Sequence, residues 1–348
     1  MLLMKLKNFT TGLSILLIWL LGAGANAVTQ VSTSRLALLS HGINADNIVN
    51  NSRLSDYTST DIFRLRLMGI NNIRIPIDPS YIVVGVPIAG QTTLSSVSRV
   101  NFGKNRLSQY VRLFIQGGFA VTLVIQPQKS FYKLSDGDSE SIILRGIDLL
   151  TKQFATIYNP DQIFFEALNE PHYDTVTWNS FAPKIIAAIR ANAPNHTIIV
   201  PPASWDLVDN FASLKPINDM NVIYTMHIYA PAMLTLQGTV NAIPLPNYRF
   251  PKAPGVINPT EWSYKRLGQY MHVGIDWATA NNVPLIMNEF GATSVCNRMS
   301  RLNWINFVRR TAQQNHIGWA YWSFDGKLFG LRPRGLKWDP DLLALLSS

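Results

Sequence analysis

The sequence predicts a single-domain α/β protein with the architecture of a (β/α)8 TIM barrel. Short apolar or β-branched runs alternate with longer segments of helical periodicity, which is typical of repeated βα units around a parallel sheet. Eight such units can be counted along the chain. Without a predicted leader of 27 residues, 321 of the 348 residues remain, which suffices for one barrel of ~250 residues or more.

The predicted strands are apolar runs bounded by polar or turn-forming residues. They cover residues 37–43, 72–75, 120–125, 163–168, 197–200, 222–227, 284–287 and 317–321. The predicted helices cover residues 60–68, 106–116, 139–158, 178–193, 261–280 and 301–314, with a weaker one at 205–214. In the fourth of these helices, Pro183 either kinks the helix or lies near its first turn.

An open doubly wound sheet is the alternative arrangement of such units. That fold usually carries a Gly-rich phosphate loop after its first strand, whereas this chain reads Ser40-His41-Gly42-Ile43-Asn44. In a closed barrel the active residues gather at the carboxyl ends of the strands. The two long connections, residues 78–104 and 230–260, would rise over that face and are candidate cleft walls.

Residues 1–27 have the pattern of a secretory signal peptide. Lys5 and Lys7 precede an apolar stretch, and Ala25-Asn26-Ala27 resembles a cleavage site. A single-span anchor is the alternative, but the stretch is shorter than the ~20 residues that a span needs. We therefore expect residues 28–348 to form a soluble catalytic domain that is secreted or periplasmic and does not remain in a membrane.

Composition and motifs argue against several other classes of protein. The net charge is +9, but Lys and Arg are scattered, so no nucleic-acid partner is expected. Cys296 is the only cysteine, which excludes an intramolecular disulfide, and we expect it to be a small buried hydrophobe rather than a nucleophile. No two candidate metal ligands share an element at a suitable spacing, so we expect no metal or cofactor. A monomer is expected.

Two glutamates, Glu170 and Glu289, follow the predicted fourth and seventh strands. Retaining glycoside hydrolysis uses two carboxyl groups about 5 to 5.5 Å apart, one as acid and one as nucleophile. Strands from opposite sides of one barrel can supply that spacing. A buried structural ion pair is the alternative interpretation of the two carboxylates.

The motifs at the strand ends resemble glycoside hydrolase family 5, the large cellulase family of a (β/α)8 glycosidase clan. They are Asn169-Glu170-Pro171, His227-Ile228-Tyr229, Asn288-Glu289-Phe290-Gly291 and Trp322. Their order and spacing match the family over most of the mature chain. The resemblance implies that Glu170 is the acid/base and Glu289 is the nucleophile.

The resemblance also implies how the two carboxyl groups are held. Arg74, at the end of the second strand, would keep Glu289 ionised with help from the Tyr229 hydroxyl. His227 would lie near Glu170 and tune its protonation. The alternatives are a salt bridge at the barrel rim for Arg74 and ordinary satisfied core groups for His227 and Tyr229.

Three further residues would contact the sugar according to the resemblance. Asn169 would bind the 2-hydroxyl group, and Trp322 would offer an apolar face beneath the reactive sugar. Trp319 is expected to pack in the barrel instead. The chain departs from the family after the third strand, where a histidine is frequent but Gln126 stands here. An amide can still bind a hydroxyl group, so the departure bears on substrate preference.

We therefore expect a retaining glycoside hydrolase that cleaves a β-linked glucan by double displacement, in the first place an endo-1,4-β-glucanase, or cellulase. The same residues acting on mannan, or on another β-linked sugar, are the alternative because loops decide sugar identity. An alternative of another class is a catalytically inactive carbohydrate-binding barrel, against which the two intact carboxylates argue.

Overall fold

The barrel is closed by eight parallel strands that pair in sequence order, with β8 returning to β1. The computed structural model describes residues 31–46, 48–49, 57–128, 131–239, 243–245, 247–252, 262–333 and 337–347. The predicted (β/α)8 barrel is thus confirmed. The predicted leader, residues 1–27, lies outside the described residues, and no helix among the described ones is long and apolar enough to cross a membrane.

The elements follow the βα alternation that the sequence predicts. The strands are β1 His41–Asn44, β2 Asn72–Ile77, β3 Ala120–Ile125, β4 Ile163–Glu166, β5 Ile198–Val200, β6 Val222–Ile228, β7 Leu285–Phe290 and β8 Gly318–Tyr321. The helices of the described residues are α1 Thr33–Leu38, α2 Ser59–Leu67, α3 Val97–Gln116, α4 Asp136–Phe154, α5 Thr175–Asn192, α6 Ala203–Asp206, α7 Ala232–Thr235, α8 Tyr264–Ala280, α9 Arg298–Gln314 and α10 Pro340–Leu346.

Several helices begin earlier than the apolar periodicity predicted, because polar capping residues fix their first turns. The Asp174 side chain accepts a hydrogen bond from the Thr177 backbone N–H, so α5 begins at Thr175 and Pro183 lies inside it. Ser96 caps α3 in the same way, which shortens the connection that follows β2. Capping therefore explains these boundaries better than apolar spacing does.

Two predicted elements differ from the structure. The predicted first strand began at residue 37, but α1 extends to Leu38 and β1 starts only at His41. The first residues of the predicted strand are apolar because they belong to α1, the helix that precedes the barrel. The weak helix predicted at 205–214 is the single turn α6 followed by a 3-10 segment at Val208–Ser213.

The side chains inside the barrel change from apolar to polar along the strands. Near the amino ends, an apolar cluster fills the interior with Leu39, Ala120, Phe164, Ile199, Ile223 and Ile286. Since side chains two residues apart share a strand face, Phe164 is followed inward by Glu166, and Ile223 by Thr225 and His227. The polar layer therefore lies toward the carboxyl ends, above an apolar floor.

Two single-residue predictions about packing agree with the structure. Trp319 is buried in the barrel and contacts His41 and Phe290 edge-to-face, with ring centroids 4.9 and 5.8 Å apart. Cys296 is free and buried, and its thiol donates to the Thr293 carbonyl oxygen at 2.8 Å. Burial raises the pKa of this thiol to about 11, which leaves it a poor nucleophile.

Candidate active site

The guanidinium group of Arg74 is the centre of the buried polar layer. Nε and Nη2 donate to the two oxygens of Glu166 at 2.6 and 2.7 Å, and Nη2 also donates to Asn169 Oδ1 at 2.7 Å. Nη1 donates to Asn44 Oδ1 at 2.9 Å and to Glu289 Oε1 at 2.5 Å. All five N–H donors of a side chain that is only 1% exposed are thus satisfied.

Glu166 is the main partner of Arg74, and no role for it was predicted from the sequence. It is fully buried in β4 and also accepts from Asn288 Nδ2 at 2.8 Å. Although burial lowers the pKa of Arg74, the carboxylates of Glu166 and Glu289 raise it above its usual range, so the group stays charged. The sequence signal for this role of Glu166 is an acidic residue at the end of the apolar run Ile163–Glu166. A buried charge needs a partner, so such a residue predicts a buried cation nearby.

The two glutamates of the predicted pair face each other across His227. Glu170 Oε1 lies 3.0 Å from His227 Nδ1, and Glu289 Oε2 lies 3.6 Å from the same nitrogen. One carboxylate oxygen of Glu170, one of Glu289 and a ring nitrogen of His227 all lie within 4.8 Å of one another. This separation fits the spacing of a retaining glycosidase rather than the wider one of an inverting enzyme.

The surroundings of the two carboxyl groups are unequal. Glu289 accepts from the Arg74 guanidinium and from the Tyr229 hydroxyl, the latter at 3.0 Å. The pKa of Glu289 is raised overall, because burial and the charge of Glu170 outweigh the lowering by His227 and Arg74. Although Glu170 is 31% exposed, desolvation raises its pKa to about 7 against the opposing charge of Arg74. Glu170 is therefore suited to hold a proton near neutral pH.

His227 lies between the pair Glu170 and Glu289 and a further buried carboxyl group, that of Asp206. Its Nε2 lies 3.2 Å from Asp206 Oδ2, but the contact is bent, and neither Nε2 nor the Asp206 oxygens make a well-aligned hydrogen bond among the described residues. Burial lowers the pKa of His227 to about 4, so the ring is neutral. Burial, followed by the charges of Glu166 and Glu170, raises the pKa of Asp206 well above its usual range.

Residues 39–328 match the family model described as Cellulase (glycosyl hydrolase family 5). The chain belongs to glycoside hydrolase family 5. The resemblance seen in the strand-end motifs is thereby confirmed.

Curated relatives of this family 5 chain are bacterial endoglucanases. Endoglucanase 3 of Fibrobacter succinogenes is 32% identical over 198 residues, covering 48% of this chain and 30% of its own length. Endoglucanase A of Evansella cellulosilytica is 24% identical over 217 residues, covering 60% of this chain and 37% of its own length. The chain thus spans about a third of the length of these relatives.

Solved structures share the fold over nearly the whole barrel. A hyperthermophilic endo-β-1,4-glucanase in complex with substrate superposes with a TM-score of 0.75 at 24% identity, covering 90% of this chain and 98% of its own. Thermotoga maritima Cel5A in complex with mannotriose superposes with a TM-score of 0.72 at 23% identity and the same coverage.

The turn α6 contains Asp206, a residue of the buried polar layer that was not predicted from the sequence. Ser204, Trp205 and Asp206 have φ angles of 51°, 65° and 61°, a left-handed region that non-glycine residues rarely adopt. This turn directs Asp206 into the buried layer and leaves Trp205 49% exposed. The Trp205 ring contacts His172 edge-to-face at 4.6 Å, beside the Glu170 segment. No glycine or turn motif in the sequence signals this conformation.

The remaining two predicted site residues stand apart from the cluster. Gln126 follows β3 and its backbone N–H donates to Ile77 O at 2.8 Å. Trp322 follows β8, is half-buried, and its backbone N–H donates to Phe290 O at 2.9 Å. Among the described residues, neither side chain makes a polar contact with the six others, which are Arg74, Asn169, Glu170, His227, Tyr229 and Glu289. Both lie at the carboxyl end of the barrel, after β3 and β8.

Replacing Glu166 with Gln should destabilise the fold strongly, because it removes the charge that two Arg74 donors require. We expect a loss of about 3–5 kcal/mol in the free energy of unfolding, measured by urea denaturation. Glu140→Gln is the control, since Glu140 pairs with Lys184 at the surface at 3.2 Å. Its effect should stay within about 0.5 kcal/mol. Equal effects of the two substitutions would show that the Arg74 cluster is not a stability element.

Proposed function

We propose that this protein is a retaining endo-1,4-β-glucanase that works by double displacement. The observation that supports this most is the contrast between Glu170 and Glu289. Their carboxyl oxygens lie within 4.8 Å of each other, yet Glu170 holds a proton near neutral pH while Glu289 accepts from a permanent cation. Two carboxyl groups at this separation with different protonation are what retention requires.

In the first step, Glu289 attacks the anomeric carbon of a bound glucan and forms a glycosyl ester. The glycosidic C–O bond breaks as Glu170 passes its proton to the leaving oxygen. Arg74 and the Tyr229 hydroxyl hold the attacking carboxylate in a fixed orientation and keep it ionised. The products of this step are a shortened chain with a free hydroxyl group and the covalent intermediate.

In the second step, the same two groups exchange roles. Once Glu289 is esterified its negative charge is lost, so the pKa of Glu170 falls and its carboxylate can take a proton from water. The water oxygen attacks the anomeric carbon and the ester bond breaks. Glu289 leaves as a carboxylate and Glu170 again carries a proton, which completes the cycle.

Three residues are proposed to contact the sugar. Asn169 Oδ1 accepts from Arg74, which orients the amide and leaves Nδ2 as a donor for the 2-hydroxyl group. Trp322 would support the reactive sugar with its ring face, and Gln126 would bind a hydroxyl group at the position where many family members have histidine. These contacts add orientation and transition-state binding to the carboxyl chemistry.

Glucan is the proposed substrate because the curated relatives are named endoglucanases. Mannan is the second candidate, since Thermotoga maritima Cel5A shares the fold and has been solved with mannotriose as well as with cellobiose. A binding barrel without turnover is disfavoured by the complete arrangement of acid, nucleophile and guanidinium. We further propose that residues 1–27 are a cleaved leader, and that residues 28–348 act as a secreted or periplasmic monomeric domain.

Glu289→Gln should abolish turnover while sugar binding survives. The amide is nearly isosteric but cannot form the glycosyl ester, so we expect kcat on carboxymethylcellulose to fall by about 10⁴-fold or more. Calorimetric titration with cello-oligosaccharides should still show binding. Wild-type protein without any hydrolytic activity would favour the binding-barrel alternative.

The pH profile should show an alkaline limb set by Glu170. Because this carboxyl group has a pKa of about 7 and must carry a proton to assist departure, kcat/KM for cello-oligosaccharides should fall as pH rises through 7. An aryl cellobioside with a very acidic phenol needs no such assistance in the first step. The decline should therefore be much weaker for its kcat/KM, and equal declines for both substrates would contradict the assignment.

Substrate choice is tested by chromatography of the products from carboxymethylcellulose, mixed-linkage β-glucan and mannan. We expect short cello-oligosaccharides from the glucans at rates at least about tenfold above those on mannan, since pocket contacts of this kind discriminate by 1–3 kcal/mol. Faster release of manno-oligosaccharides would replace glucanase by mannanase. Inactivity on all three polymers would overturn the glucanase proposal.

A further inference from the structure

We propose that Glu170, His227 and Glu289 bind a zinc ion reversibly, and that the metal-free form is the one able to hydrolyse. No sequence motif indicates this site, because the three ligands come from different elements: Glu170 follows β4, His227 lies in β6 and Glu289 lies in β7. Binding of the ion does not depend on the proposed function. Only its inhibitory consequence rests on the assigned roles of the two glutamates.

The distances between the candidate ligand atoms suit a small tetrahedral ion. Zinc–ligand bonds of about 2.0 to 2.2 Å put neighbouring ligand atoms of a tetrahedral site about 3.3 Å apart. His227 Nδ1 lies 3.0 Å from Glu170 Oε1 and 3.6 Å from Glu289 Oε2. The three ligand atoms lie within 4.8 Å of one another, so small side-chain movements would bring all three onto one ion.

Asp206 provides an independent sign of a metal-binding histidine. Ligating imidazoles usually donate their second ring N–H to a carboxylate, which orients the ring and leaves the other nitrogen free to bind the ion. Asp206 Oδ2 lies 3.2 Å from His227 Nε2, and the Asp206 side chain is fully buried without an aligned hydrogen bond among the described residues. With Nε2–H directed to Asp206, the Nδ1 lone pair faces the two glutamates.

The local charge and the access route also favour a cation. Glu166 and Glu289 pair with Arg74, and Glu170 and Asp206 contact the two nitrogens of His227, so the cluster holds more carboxyl groups than cationic side chains. Arg74 donates to Oε1 of Glu289, and Oε2, which accepts from the Tyr229 hydroxyl, lies on the side of His227. Glu170 is 31% exposed, so an ion can enter from the cleft and keep its fourth position for water.

The ligand set selects zinc over the hard cations. One imidazole with two carboxylates is a combination typical of zinc sites, whereas Mg²⁺ and Ca²⁺ prefer six or more oxygen ligands. A bound zinc ion would engage the oxygen with which Glu289 attacks and the oxygen from which Glu170 donates. Substrate and zinc would then exclude each other, and inhibition would be competitive.

The test is calorimetric titration of chelator-treated full-length protein with zinc chloride, without substrate. We expect one zinc ion per chain, with affinity lowered about tenfold or more by Glu170→Gln and by Glu289→Gln, each verified as folded by circular dichroism. Asp206→Asn should weaken binding 10- to 100-fold if Asp206 orients the imidazole. Magnesium chloride should give no binding.

His272→Ala is the matched control. His272 Nδ1 lies 3.2 Å from Asp276 Oδ1 on the exposed face of α8, so this surface pair of a histidine and a carboxylate could also bind zinc. Its loss should leave the zinc affinity unchanged. Zinc binding that disappears in His272→Ala but persists in both folded glutamate variants would overturn the proposal, as would a wild-type protein that binds no zinc. Inactivity on polysaccharides would refute the glucanase assignment alone, because the titration contains no sugar.

Discussion

The burial of one guanidinium group inside the barrel constrains the rest of the active-site region. A charge in this position is tolerable only when every donor is paired, and Arg74 achieves this with two carboxylates and two amides from different strands or strand ends. Its partners therefore cannot move independently. The nucleophile candidate Glu289 is fixed by the same contacts that make the buried charge possible, so stability and orientation have a common origin.

The imbalance of charge around Arg74 explains why the carboxyl groups behave differently. Burial raises the pKa of Glu170, Asp206 and Glu289, and the guanidinium group of Arg74 opposes that rise. Glu289 accepts a hydrogen bond directly from this group, whereas Glu170 and Asp206 do not. Glu170 and Glu289, the proposed acid and nucleophile, thus differ in their contact with one positive group.

The sequence predicted the parts of this arrangement that follow from periodicity and strand-end motifs. Eight strands could be found as apolar runs, and the glutamate pair was found because parallel strands end at one face of a barrel. The role expected for Arg74 came from the resemblance to the family. Helix starts were misplaced where caps decide them. Glu166 was visible but not interpreted, since its partner is distant in sequence. Asp206 could not be found, because its position depends on a left-handed turn that lacks glycine.

The left-handed turn at Ser204–Asp206 also limits which changes of chain length the protein can accept. Asp206 faces the buried layer while the neighbouring Trp205 is exposed at the rim of the cleft. An insertion or deletion within Ser204–Asp206 would disrupt the left-handed turn on which these two orientations depend. The connection from β5 to β6 therefore cannot change length at this turn without moving the Asp206 carboxyl group. The three residues of this turn thus fix the exposed indole and the buried carboxyl group relative to each other.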